Sequence, residues 1–383
     1  MSTQRKFTAS VFFDAFQSHE IELATLFIMF NRPLPTPFTT AAACQAVLEN
    51  SAPEDGLTPL LYQLNDLATP HGRDIIEAAA NSHAVQGEIL GVDVTTARAA
   101  LRLWHADKAA FEHAMDRLAV TGVQGGKVAL FPGRAAMPVA DPAAAVAGFE
   151  SQLNQNLKEW KGALGFNVRH YLDGTTLVIL VFCERTAEVH WEFDHGNQTV
   201  KPGIRRPVIQ DVLFYDQSTG ELEIEASHAK HREILRSAFA VGVLGDDSFF
   251  PEEESSRVLR LQTLVGRDFR LPTRQGHTAS ITGIRIKDSF LRKHVTMGFS
   301  TNRQDVVEYL RGKEAMGIFG GCSVTSVRID LILGPARLDR KSIELSGHNG
   351  IKFNRSSHVD TVHQYLRAWS LMEPQDMADE SAA

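Results

Sequence analysis

A chain of 383 residues exceeds what one ordinary core holds and predicts two or three domains. Hydrophobic residues make up 43% and charged residues 22%, a globular balance that excludes wholesale disorder and fibrous repeats. There are 39 basic and 46 acidic residues, net −7, unevenly spread: residues 256–369 hold 19 Lys and Arg against 9 Asp and Glu, which leaves 20 against 37 elsewhere. A basic third inside an acidic protein predicts a polyanion partner, or an acidic surface on the same chain or a sister subunit.

The longest apolar run, Ile21 to Phe30, is too short to span a bilayer and contains Glu22. No basic region precedes an apolar stretch and a small-residue cleavage site, so export is not expected. Cys44, Cys183 and Cys322 lie far apart without a CxxC, which argues against a disulfide framework and a cysteine zinc site. The expectation is a soluble, cytoplasmic protein with no membrane contact and no cofactor.

In chain order, residues 1–120 read as a helical domain. Leu57 to Ala80 carries a helical apolar pattern broken by Pro70 and Gly72. A further helix is expected from Ala97 to Ala119, capped by Thr95 or Thr96, with Leu101, Trp104, Phe111, Met115 and Leu118 on one face. Residues 121–142 are rich in Gly and Pro and read as a connection. Gly125-Gly126-Lys127 lacks the spacing and the following Ser or Thr of a phosphate loop.

A mixed α/β middle domain follows over 143–254. It opens with a helix at Ala144 to Trp160 and continues with a buried strand at Thr175 to Cys183. In the alternating strand Glu188 to Phe193, Val189, Trp191 and Phe193 oppose Glu188, His190 and Glu192. A hairpin is expected at Val208 to Tyr215 and Glu221 to Ala226, then a helix at His228 to Ala240.

Residues 255–369 read as a basic α/β domain that begins with a helix near Ser255 to Val265 and continues in the order ββαβββα. Val327 to Leu333 alternates cleanly, and Asn349-Gly350 is a hairpin signal. Residues 370–383 read as a disordered acidic tail. The fold class is thus α+β: a helical N-terminal unit, then two mixed modules with largely antiparallel sheets, the last with helices on one side and an open face.

Candidate chemistry is sparse. Asp211 on one strand and Glu223 and Glu225 on the next resemble, over about thirty residues, the carboxylate pattern of PD-(D/E)xK nucleases. That resemblance implies a divalent metal held by two carboxylates, with the third group activating water. The alternating Glu221, Glu223 and Glu225 also describe any half-exposed strand. A second metal set can be drawn from His190, Asp194, His195, His228 and His231, but 190 and 195 fall on opposite strand faces. GxSxG, HExxH and GxGxxG are absent.

The cations supply the stronger pattern. Arg285, Lys287, Arg328 and Lys352 alternate with inward Ile and Val positions and are expected on the open sheet face, with Arg292 and Lys293 in a loop at its end. The functional expectation is a non-catalytic binding protein that contacts a nucleic-acid backbone through 255–369. Its helical part would bind a protein or self-associate, as in an accessory or sensor subunit of a bacterial complex, for example in antiviral defence. The alternatives are the nuclease above and a purely structural interaction subunit.

Overall fold

The computed structural model describes residues 9–16, 19–31, 39, 42, 56–91, 93–122, 128–156, 163–194, 198–226, 228–252, 258–266, 269–288, 296–300, 305–336, 339–347, 349–353 and 358–372. The chain divides into two compact units, Met1–Val123 and Gln124–Ala383. Its class is α+β, with the helices of the first unit followed by a large antiparallel sheet. No helix among the described residues is long and apolar enough to cross a membrane.

The first unit contains α1 (Ala9–Asp14), α2 (Glu20–Met29), α3 (Leu57–Leu67), α4 (Pro70–Ser82), α5 (Gln86–Ile89), α6 (Thr96–Ala106) and α7 (Lys108–Gly122). Pro70 and Gly72 start a helix rather than interrupt one. Pro70 sits in the first turn, where its missing N–H costs nothing, and Thr69 Oγ1 accepts from Gly72 N at 2.8 Å. The helix expected over 97–119 is two helices. Asp107 leaves the helical region (φ −151°, ψ 108°), and its carboxylate accepts from the N–H groups of Ala109 and Ala110, capping α7. Trp104 is buried, with Phe30 stacked on it at 6.4 Å and the Lys108 ammonium 5.5 Å from its ring centre; Leu118 is partly buried against the same core. Within that unit Glu22 accepts from Arg98 and Arg102, each at 2.7 Å. The Arg98 hydrogen bond chiefly, with Arg102, brings its carboxyl down to about 2 against the opposing effect of burial.

The second unit carries β1 (Val128–Phe131), α8 (Pro142–Gln155), β2 (Ala163–Asp173), β3 (Thr176–Arg185), β4 (Glu188–Asp194), β5 (Thr199–Arg205), β6 (Val208–Asp216), β7 (Glu221–Glu225) and α9 (Ala229–Gly242). Then come β8 (Thr278–Asp288), β9 (Thr296–Ser300), α10 (Val306–Gly312), β10 (Cys322–Ile332), β11 (Arg340–Ser346), β12 (Gly350–Lys352) and α11 (Val359–Ala368). Ten strands form one antiparallel sheet of order β2-β3-β6-β7-β1-β12-β11-β10-β8-β9; β4 and β5 form a ribbon of their own. The two mixed modules read from sequence therefore share a sheet. The strand that joins them, β1, comes from the segment read as a connection and pairs with β7 on one side and β12 on the other. Asn349 fastens this seam, its carbonyl accepting from Leu130 N at 3.0 Å and its amide donating to Leu130 O at 3.4 Å.

The helices change sides at the seam. On one face of the first half, Ala129, Phe131, Ile179, Leu213, Tyr215 and Ile224 pack with Phe149 of α8 and Phe239 of α9. Gly148 and Gly242 let those helices touch, because a Cβ on Gly148 would lie 2.5 Å from the Gly242 carbonyl oxygen. On the opposite face of the second half, Ile284, Val327, Ile329, Ile343, Leu345 and Ile351 pack with Val307 of α10 and Leu366 of α11. Period-two alternation then leaves one face of the second half without these helices.

Two further expectations change. Over 255–265 the described residues form an extended bridge at Leu259 and a 3-10 turn at Leu261–Val265. The α10 cap is Asp305, which accepts from Val307 and Glu308 N–H while also accepting from Ile281 N. Residues 370–372 are not a disordered tail: Leu371 and Met372 are buried, and Leu371 O accepts from Arg260 N. Residues 373–383 lie outside the described residues.

Candidate nucleic-acid interface

Cross-strand partners in an antiparallel ladder point to the same face, so register decides which side chains can cooperate. β10 places Arg328 opposite Gly283 of β8 and Glu344 of β11, and Glu344 lies opposite Lys352 of β12. The open face thus carries a row of Gly283, Arg328, Glu344 and Lys352. Beside it runs Gly298, Arg285, Ser326, Ser346 and Gly350. Lys287 follows Arg285 by two residues and shares its side. Arg285, Arg328 and Lys352 are exposed and Lys287 is half-buried. These four cations form no ion pair with any described residue.

Arg340 joins them. It is exposed on β11 and shares parity with Ser342 and Glu344. Its signal was present in the sequence as the alternation around Ile343 and Leu345. Two carboxylates share the face: Glu344 within the row, and Asp330, which accepts from the Ser342 hydroxyl at 2.9 Å. Arg292 and Lys293 lie outside the described residues.

The face is not flat. A cavity of about 290 Å³ is lined by Gly283, Arg285, Gly298, Ser300, Ser326, Arg328 and Glu344, among others. A Cβ on Gly283 would lie 3.4 Å from the Arg328 Cβ, and one on Gly298 would lie 4.0 Å from the Arg285 Cγ. Glycine at both positions keeps the floor clear between two guanidinium-bearing chains. A planar, permanently charged guanidinium with several donors suits phosphate oxygens.

The carboxylates of the nuclease-like pattern do not converge. Glu225 pairs with Val212 and Glu223 with Phe214, so Asp211, one residue before Val212, points to the other face, opposite Val181. Glu223 and Glu225 share a face, but they are buried, contrary to a half-exposed strand. α11 lies there: Arg367 Nη2 donates to Glu221 at 2.7 Å, and His363 Nδ1 stands 3.5 Å from Glu223. Helix positions four apart rise about 6 Å and strand positions two apart about 6.7 Å, so the two ladders match step for step. Burial raises the Glu221 pKa and Arg367 opposes that rise.

Among the described residues, no three His, Cys, Asp or Glu side chains are grouped to hold a metal ion. His228 and His231 are in edge-on ring contact at 5.1 Å, and His231 falls to about 4 through burial, then through the positive neighbours His228, Arg185, Arg232 and Lys230. A cationic setting of that kind repels a metal ion. His190 sits on the separate ribbon, where the backbone of Asp194 pairs with Thr199, and His195 lies outside the described residues. Cys183 is buried and its thiol is pushed up to about 11, which keeps it protonated at neutral pH.

Neither a protein-family model nor a curated protein sequence matches the chain.

Proposed function

We propose that this chain is a non-catalytic, cytoplasmic binding protein whose second unit contacts a nucleic-acid backbone through the open sheet face, as an accessory or sensor subunit. One observation carries the reading. Among the described residues, Arg285, Lys287, Arg328, Arg340 and Lys352 share a face with two carboxylates, Asp330 and Glu344, while Arg311 and Arg367 elsewhere in the basic third are engaged with Glu308 and Glu221. The engaged cations belong to the fold, and the remaining ones are available to a ligand. Scattered Arg and Lys on strands favour phosphate neutralisation over base reading.

For the helical unit, α2 supports the expected protein contact or self-association, since Ile21 and Ile28 are exposed one heptad apart on it.

Filter binding of the full chain to duplex DNA across a salt series tests the nucleic-acid reading. With all five cations on phosphates, the log–log slope should approach about −4.5, at about −0.9 per phosphate. The double substitution Arg285→Ala with Arg328→Ala should flatten it by about two units. Absent or salt-insensitive binding would overturn the reading.

A further inference from the structure

The ribbon β4–β5 stands apart from the ten-stranded sheet, and its ladder fixes two unlike faces. Val189 pairs with Ile204 and Trp191 with Pro202, and Val200 lies two residues from Pro202 on the same side. Val189, Trp191, Val200 and Ile204 are 69%, 73%, 58% and 76% exposed. On the other face Arg205 donates to Glu188 at 2.7 Å, and the Glu192 and Lys201 backbones are paired. A two-stranded ribbon is marginal in water by itself, and one that turns a tryptophan and three β-branched residues to solvent needs a cover.

We propose that the cover is the same face of a second copy of this chain, giving a two-fold dimer in which two ribbons pack apolar face to apolar face. The charges carry the choice of occupant. Glu188 and Arg205 neutralise each other on the far side, so the apolar face offers a foreign partner no charge to read. It also repels no identical copy. A two-fold contact needs a self-complementary patch, and a neutral apolar one qualifies. Trp191 contributes roughly 150–250 Å² and, with its β-branched neighbours on both copies, the contact reaches roughly 1,000 Å², the lower bound for a specific interface. Interfaces at this low end of the size range include weak, transient associations, so the dimer is expected to exchange with monomer. The outer faces keep their ion pairs in water, as in a β-sandwich with polar exteriors.

Sedimentation velocity on the full chain, from about 1 to 100 μM, tests this. The expected result is a monomer–dimer equilibrium that Trp191→Asp weakens at least about 30-fold, the loss typical of a central aromatic anchor. Ile204→Asp should do the same, and both variants should keep the thermal melting profile of the wild-type monomer. A wild-type chain that stays monomeric at 100 μM overturns the proposal. So does a dimer that survives both ribbon substitutions but is broken by Ile28→Asp, which would place the contact on α2. Cosedimentation of the monomer with phosphatidylcholine vesicles, lost in Trp191→Asp, would assign the face to lipid instead.

Discussion

The two halves of the ten-stranded sheet are built from the same antiparallel ladder, yet they use their faces in opposite ways. In the β2-β3-β6-β7 half, α8 and α9 cover one face, and α11 reaches the carboxylates of β7 on the other. In the β12-β11-β10-β8-β9 half, α10 and α11 cover one face, and the other keeps its cations. Charged residues at alternate strand positions therefore mean different things in the two halves. On β7 they anchor a helix, and on β8, β10, β11 and β12 they meet no covering helix among the described residues. The same alternation in sequence cannot separate the two cases, because the covering helix is more than 130 residues away from β7.

The largest expected effect tests whether the covered half is purely structural. Phe239 packs against Phe149, Tyr215 and Phe250 at ring distances of 5.0–6.3 Å. Phe239→Ala should cost about 3–5 kcal/mol, as a large core truncation does. At a temperature where the variant remains folded, its nucleic-acid affinity should equal that of the wild type. Chemical denaturation paired with filter binding reads both quantities. A fall in affinity without unfolding would show that the two halves do not divide stability from binding.

The anchoring carboxylates come next. Arg367→Ala removes the partner of Glu221, which is three-quarters or more out of solvent, and should cost about 2–3 kcal/mol at neutral pH. Glu221 has a raised pKa, so protonation favours the fold. Its ionised form is tolerated at neutral pH because Arg367 stands beside it. Without Arg367 the folded pKa rises further, and the loss of stability should be fullest above that value. It should shrink as pH falls toward about 4.5, the ordinary glutamate value. Urea melts of both proteins between about pH 4 and pH 8 check the sign; a penalty that grows on acidification would contradict the assigned pairing.

How far the sequence carried depended on the length of each pattern. Val327, Ile329 and Leu331 alternate for long enough to give strand, inward face and outward cations at once, and Asn349-Gly350 marked its hairpin. β1 was hidden, since its four residues, Val128 to Phe131, are buried on both faces and show no period, and Gly and Pro flank them. Missing β1 meant missing that the two mixed modules share a sheet. Asp107 was hidden inside an unbroken helical pattern, because apolar residues keep their spacing across the break. The β7 carboxylates had the right parity but the wrong exposure, which His363 and Arg367 supply from a distant helix.

The smallest expected effect is the sharpest test of the contrast, because it asks one chemical question of both halves. Glu344 stands between Arg328 and Lys352 in the open half, as Glu223 stands beneath α11 in the covered half. Glu344 is half-buried, and nothing among the described residues uses its carboxylate as a helix anchor. Neutralising it by Glu344→Gln should change stability by no more than about 0.5 kcal/mol. It should also tighten nucleic-acid binding about two- to fivefold at low salt, because a like charge beside the approaching phosphates is gone. The same change at Glu223 should leave affinity untouched and lower stability, since it weakens the contact with His363. If Glu344→Gln instead weakens binding, its carboxylate must hold the flanking cations in place rather than oppose the ligand, and the open face would then be an organised site rather than a plain cationic surface.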